Sequence, residues 1–125
     1  MCIRDRYEVN KLSAELGNAD VELVRKELGT EFDMIVHEPD GILEIGQAGH
    51  SKASGIERLC ASLGIAKEDT YAFGDSANDV EMLEFVAHGI AMGNGTDVAK
   101  NAAEFVTTDI HKDGIWNGLK HYGLI

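Results

Sequence analysis

The chain has 125 residues, the size of one small domain or of a piece of a larger protein. Apolar residues make up 44% and charged residues 26%, which excludes a disordered chain, and no run is long enough to cross a membrane. Acidic residues outnumber basic ones 22 to 11, and the net charge of −11 excludes a broad electrostatic footprint for nucleic acid or anionic lipid.

The first six residues, Met1 to Arg6, show neither periodicity nor a cap and resemble the translation of a transposon end used in preparing sequencing libraries. They are read as a non-native leader, with Met1 an accidental start and part of the protein missing upstream. Tyr7 to Leu16 reads as a strand closed by Gly17-Asn18. Asn18 or Asp20 can cap a helix to Leu28, with Val21, Val24 and Leu28 on one face and Gly29 ending it. Phe32 to His37 and Ile42 to Ile45 read as two strands around the turn Pro39-Asp40-Gly41.

Composition changes near Gly49, and from there helices and short apolar strands alternate. Ser51 can cap a helix whose inner face carries Ile56, Leu59, Cys60 and Leu63, stopped by Gly64. Thr70 to Phe73, Gly89 to Met92 and Phe105 to Thr107 read as strands. Helices follow from Asn78 or Asp79 to Val86, from Gly95-Thr96 to Ala102, and from Asp113 onward with Ile115, Leu119 and Tyr122 inward. Near-continuously apolar strands alternating with helices predict an α/β fold with a parallel sheet covered on both faces.

Two cysteines, Cys2 and Cys60, form no disulfide framework, so a reduced, cytoplasmic setting is expected, with Cys60 a small buried hydrophobe. His50, His88, His111 and His121 lack paired spacing and are read as surface or packing residues, as Trp116 and Tyr122 are read as packing.

Ligands of such a sheet bind beyond the carboxyl ends of its strands. Asp75, Asn94 and Asp109 fall there, and Lys52 at the start of the preceding helix can lie beside them. Gly74-Asp75-Ser76-Ala77-Asn78-Asp79 is the most informative stretch, because a carboxylate at a strand end followed by Asn and Asp supplies hard oxygen ligands for Mg²⁺ beside donors for a phosphate. Lys52 adds a compact positive charge. Asp79 has two readings, a simple helix cap or a support for its neighbours.

The stretch Tyr71 to Leu83 resembles the fourth motif of the haloacid dehalogenase superfamily, and Gly49-His50-Ser51-Lys52 resembles its third. Gly89 to Asn94 and Lys112-Asp113-Gly114-Ile115 are similar to its Cof-type (IIB) phosphatase branch. The resemblance implies the C-terminal half of that family's three-layer Rossmannoid core at residues 49–125, preceded at residues 7–48 by the tail of an α+β cap of the type called C2B. It implies an Mg²⁺-dependent phosphatase of small phosphorylated metabolites, acting through an aspartyl-phosphate. The catalytic set would be Lys52, Asp75 and Asp79. Asp75 would bind the metal, Lys52 and Asn78 the phosphoryl group, and Asp79 would orient Lys52 or the metal's waters. Asn94 and Asp109 resemble positions near the pocket and are given no catalytic role.

The family's opening Asp-x-Asp-Gly-Thr nucleophile motif and its Ser/Thr motif are not in this sequence. The nearest imitation, Glu38-Pro39-Asp40-Gly41, has Glu in the nucleophile position and lies too close to Lys52 for a cap and a second motif to intervene, so it is read as a hairpin turn. The isolated chain is therefore expected to be inactive and poorly stable. Two rivals stand beside this reading. One is the phosphorylation domain of a P-type ion pump, which Gly89 to Ala103 resembles; the other is a non-catalytic phosphate-binding or regulatory module.

Overall fold

The structure is a computed structural model that describes residues 11–17, 20–37 and 41–125. The proposed leader at residues 1–6, the alternative cap Asn18 and the turn residues Glu38, Pro39 and Asp40 lie outside them. The chain divides into two compact units between His50 and Ser51.

The first unit contains β1 (Lys11–Glu15), α1 (Val21–Leu28), β2 (Phe32–His37) and β3 (Ile42–Gln47). Its strands form one antiparallel sheet in the order β1-β3-β2. Asp20 is the cap of α1, its carboxylate accepting from the N–H of Glu22 at 3.0 Å and of Leu23 at 3.3 Å. The predicted hairpin is present, with His37 paired to Ile42, and β1 joins it on the far side of β3. Alternation puts Leu43 on one face between Ala14 and Val36, where it is buried.

The second unit runs α2 (Lys52–Leu63), β4 (Tyr71–Gly74), α3 (Val80–Phe85), β5 (His88–Ala91), α4 (Asp97–Ala102), β6 (Phe105–Val106) and α5 (Gly114–His121). The strands are parallel in the order β4-β5-β6. Ser51 caps α2 as expected, accepting from Ser54 N–H at 3.2 Å while Ser54 Oγ accepts from Ser51 N–H at 3.0 Å. The core consists of small and branched residues: Ala72, Leu83, Val86, Ile90, Ala91, Met92 and Ala99 are all buried.

Helix α5 departs from its expected inner face. Ile115 and Trp116 are 47% and 51% exposed, and the buried positions are Gly114 and Gly118. The helix lies so close to the sheet that a Cβ on Gly118 would come within 2.5 Å of the Phe73 ring. Glycines one turn apart let the backbone itself make the contact, which hydrophobic patterning does not register. The apolar stripe of α2 is likewise only partly used, since Leu59 and Leu63 are exposed and Cys60 is half-buried.

At the amino-terminal ends of the strands the first residues make an aromatic row. The rings of Tyr71 of β4 and His88 of β5 stack at 4.6 Å, and that of Phe105 of β6 stacks on His121 at 3.8 Å. Tyr122 meets Tyr71 edge-on at 5.4 Å, and its hydroxyl donates to Glu104 at 3.1 Å. Burial, and then that carboxylate, pushes the Tyr122 hydroxyl up to about 12. The packing reading of His88, His121 and Tyr122 therefore holds, whereas Trp116 is half exposed, with Lys120 Nζ 4.7 Å from its ring centre.

Gly118→Ala is expected to destabilise the chain. Overpacking against Phe73 costs about 1–3 kcal/mol and exceeds the helix-propensity gain of about 1 kcal/mol. Urea unfolding followed by circular dichroism measures it, and an unchanged or raised midpoint would show that the Phe73 ring moves aside.

Candidate active site

β4 ends at Gly74, and the chain leaves the sheet through Asp75 and Ser76 into a single 3₁₀ turn, Ala77–Asp79, before α3 begins at Val80. The Asp79 carboxylate does not cap α3; it turns back toward the strand and closes a capping box with Ser76 at the start of the 3₁₀ turn. Oδ2 accepts from the N–H of Asp75 at 2.9 Å and of Ser76 at 3.2 Å, while Oδ1 pairs with Lys52 Nζ. The side chain needs room against the strand end, and Gly74 supplies it: a Cβ there would stand 2.7 Å from Asp79 Cβ.

Asp79 is 5% exposed. Burial pushes its carboxyl up, but the Lys52 ammonium and the two backbone N–H donors outweigh burial and hold it below the usual value. Lys52 enters from the first turn of α2 with its side chain about half exposed, so its head is anchored on one side and open on the other.

The Asp75 carboxylate is exposed and makes no hydrogen bond or ion pair among the described residues, while its backbone is held at both ends. Its N–H goes to Asp79, and its carbonyl accepts from Thr96 N–H at 2.8 Å and Thr96 Oγ1 at 3.3 Å. Asn78 is half-buried, and its Oδ1 accepts from Ser76 Oγ at 2.6 Å. The turn thus gathers four of the singled-out groups: Lys52 on Asp79, and Asp79 on the backbone that carries Asp75 and leads to Asn78.

Asn94 and Asp109 have structural roles. Asn94 Oδ1 accepts from Ile110 N–H at 2.9 Å, tying the loop after β5 to the loop after β6, and Asp109 accepts from His111 N–H at 2.8 Å. Ser76 and Thr96 are not among the residues that sequence singles out. For Ser76 a signal exists: Ser76-Ala77-Asn78-Asp79 has the Ser-x-x-Asp spacing of a capping box, which the structure contains. Thr96 holds Asp75 across a distance that sequence does not display.

Mg²⁺ prefers hard oxygen ligands, keeps several waters and takes one or two carboxylates alongside phosphate oxygens. Asp75 fits that demand as one free carboxylate on a fixed backbone, whereas both Asp79 oxygens are already engaged. No cluster of three or more acidic, His or Cys side chains arranged for a metal occurs among the described residues. The donor set thus suits a shared, partly hydrated ion and not an enclosed one.

The lysine–carboxylate pair and the exposed carboxylate lie beyond the strand ends of a parallel α/β sheet, where such sheets bind their ligands. The sequence model of the haloacid dehalogenase-like hydrolases matches residues 3–119, and the chain belongs to that family. It is 42% identical over 84 residues to the 5-amino-6-(5-phospho-D-ribitylamino)uracil phosphatase YitU of Bacillus subtilis, covering 67% of this chain and 31% of that protein. Among solved structures it resembles the subclass IIB sugar phosphatase BT4131, with a TM-score of 0.85 and 31% identity over 95% of this chain and 45% of that one. The superfamily phosphatase BT1666 of Bacteroides thetaiotaomicron gives a TM-score of 0.84 and 29% identity over 95% and 44%. The chain therefore spans less than half the length of each of these relatives, and its fold is the α/β fold of Cof-type, subclass IIB members.

Asp79→Asn is expected to lower stability at neutral pH by about 1–3 kcal/mol, the cost of weakening a charge-assisted network around buried donors. Because Asp79 titrates below its ordinary value of 3.8, its contribution is present above that value and is lost as pH falls through the folded-state pKa. Denaturant midpoints of the two proteins should therefore converge in acid; a difference constant with pH would remove the ionised carboxylate from the account. Gly74→Ala should weaken the same network, read as loss of the Lys52–Asp79 contact by NMR.

Proposed function

We propose that this chain supplies the phosphate- and Mg²⁺-binding part of a phosphatase that hydrolyses small phosphorylated metabolites. The observation that carries the reading is the Lys52–Asp79 pair, held on the backbone of the turn that presents Asp75 and Asn78. Lys52 and Asn78 bind the phosphoryl oxygens, Asp75 contributes a carboxylate to the metal, and Asp79 keeps the lysine ammonium in place. Bound there, Mg²⁺ would neutralise charge on the phosphoryl oxygens, the chief electrostatic demand of phosphoryl transfer.

Hydrolysis through an aspartyl-phosphate also needs a carboxylate free to attack phosphorus. Asp79 is fully engaged and Asp75 is assigned to the metal, so the nucleophile comes from the part of the longer relatives that this chain does not span. On this reading residues 49–125 are the C-terminal part of the catalytic core, and residues 7–48 are the end of a C2B cap that selects the substrate. The isolated chain is inactive. Substrates fall among phosphorylated metabolites of the size of a sugar phosphate, with no role for nucleic acid or membrane, and the setting is the cytoplasm. Support against nucleic acid and anionic lipid is the acidic balance, and the cytoplasmic setting rests on the two cysteines, too few for a disulfide framework.

The test is a chimera in which the N-terminal part of YitU is joined to this chain. Mg²⁺-dependent hydrolysis of p-nitrophenyl phosphate is expected from the chimera and not from the chain alone. Lys52→Ala and Asp75→Asn should each lower kcat by about 10²-fold or more. A folded chimera that binds phosphate without turnover would favour the non-catalytic module, and full activity in Asp75→Asn would overturn the metal assignment.

A further inference from the structure

Asn78 has one accepting end, Oδ1, and one donating end, Nδ2, diverging from the same trigonal carbon. An ionised phosphoryl group offers acceptors only, so the amide can help hold it in just one of its two orientations. Ser76 Oγ donates to Asn78 Oδ1 at 2.6 Å, which ties the accepting end back to the turn. The donating end remains, with no partner among the described residues. Ser76 is itself fixed, because its N–H donates to Asp79 Oδ2 at 3.2 Å and its Oγ accepts from the Asp79 N–H, which leaves the hydroxyl hydrogen for Asn78 Oδ1.

We propose that Ser76 is a positioning residue, whose hydroxyl selects the orientation of the Asn78 amide that presents N–H donors to a phosphoryl group. The proposal rests on the reading of Asn78 as a phosphate ligand. One carboxylate then sets both phosphate-binding groups: Asp79 holds Lys52 directly and Asn78 through Ser76. Without the hydroxyl, the amide can turn either way, and in half of its orientations it offers oxygen to oxygen.

The experiment is an NMR titration of the isotope-labelled chain with inorganic phosphate in the presence of Mg²⁺, following the Asn78 Nδ2 and Lys52 Nζ protons. Phosphate should shift both signals in the native chain. Ser76→Ala, and independently Ser76→Gly, should weaken phosphate binding about three- to tenfold, the range for one net hydrogen bond, and should diminish the Asn78 response. Ser76→Thr, which keeps the hydroxyl, should restore both. In an Asn78→Ala background, removing the hydroxyl should cause a smaller loss than in the native chain, since only its contact with the Asp79 N–H then remains to be lost. The proposal is overturned if the Ser76 variants bind phosphate as the native chain does, or if they weaken binding equally without Asn78. Silence of both Asn78 and Lys52 in the native chain is a different result, and it would overturn the phosphate-site reading together with the proposal.

Discussion

The Asp79 carboxylate carries two obligations that ordinarily fall to different residues. A buried charge must be paired and hydrogen-bonded, and here the partners that satisfy it are also the parts of the site. The two backbone N–H groups fix how the chain turns away from β4, and the ammonium of Lys52 brings the start of α2 to the end of that strand. A glycine at the strand end is what lets the carboxylate approach so closely. Folding of the turn and assembly of the charged pair are therefore one event, and a substitution that disturbs either is felt in both.

The rest of the second unit extends this arrangement sideways. Thr96 holds the carbonyl of Asp75 from the loop after β5, and Asn94 holds Ile110 in the loop after β6, so the three strand-end loops are linked in series by short polar contacts. The opposite ends of the same strands are joined by stacked rings and the Glu104 carboxylate, which His88 and then Tyr122 hold below its usual range. Polar linkage on one side and aromatic packing on the other leave the small aliphatic core between them to fix the strand register.

Much of this is legible in the residues. Caps and stops such as Asp20, Ser51 and Gly64 act through local chemistry and fall where the sequence places them. The parallel sheet and the gathering of Lys52 with Asp79 follow from the alternation of elements and from the motif's resemblance, because both are carried by short-range pattern. What pattern does not display are contacts made by the absence of a side chain or by a reach across the sheet. Ile115 fits an inward stripe by periodicity, yet the helix backbone at Gly114 and Gly118 takes that place. The orientation of the Asp79 carboxylate is equally hidden, since a cap for α3 and a clasp for the preceding strand begin from the same residue type in the same position.

The outward placement of Trp116 has a bearing on how this molecule can be observed. It is the single tryptophan of the chain, half exposed beneath a lysine, so its indole already senses water in the native state. Its emission wavelength is consequently a poor witness of unfolding. The chromophores whose surroundings change are Tyr71 and Tyr122, packed edge to face and flanked by imidazoles. Their near-ultraviolet dichroism reports the integrity of the sheet from the end farthest from the charged turn, so ligand-induced changes at the turn and loss of the fold can be read as separate signals.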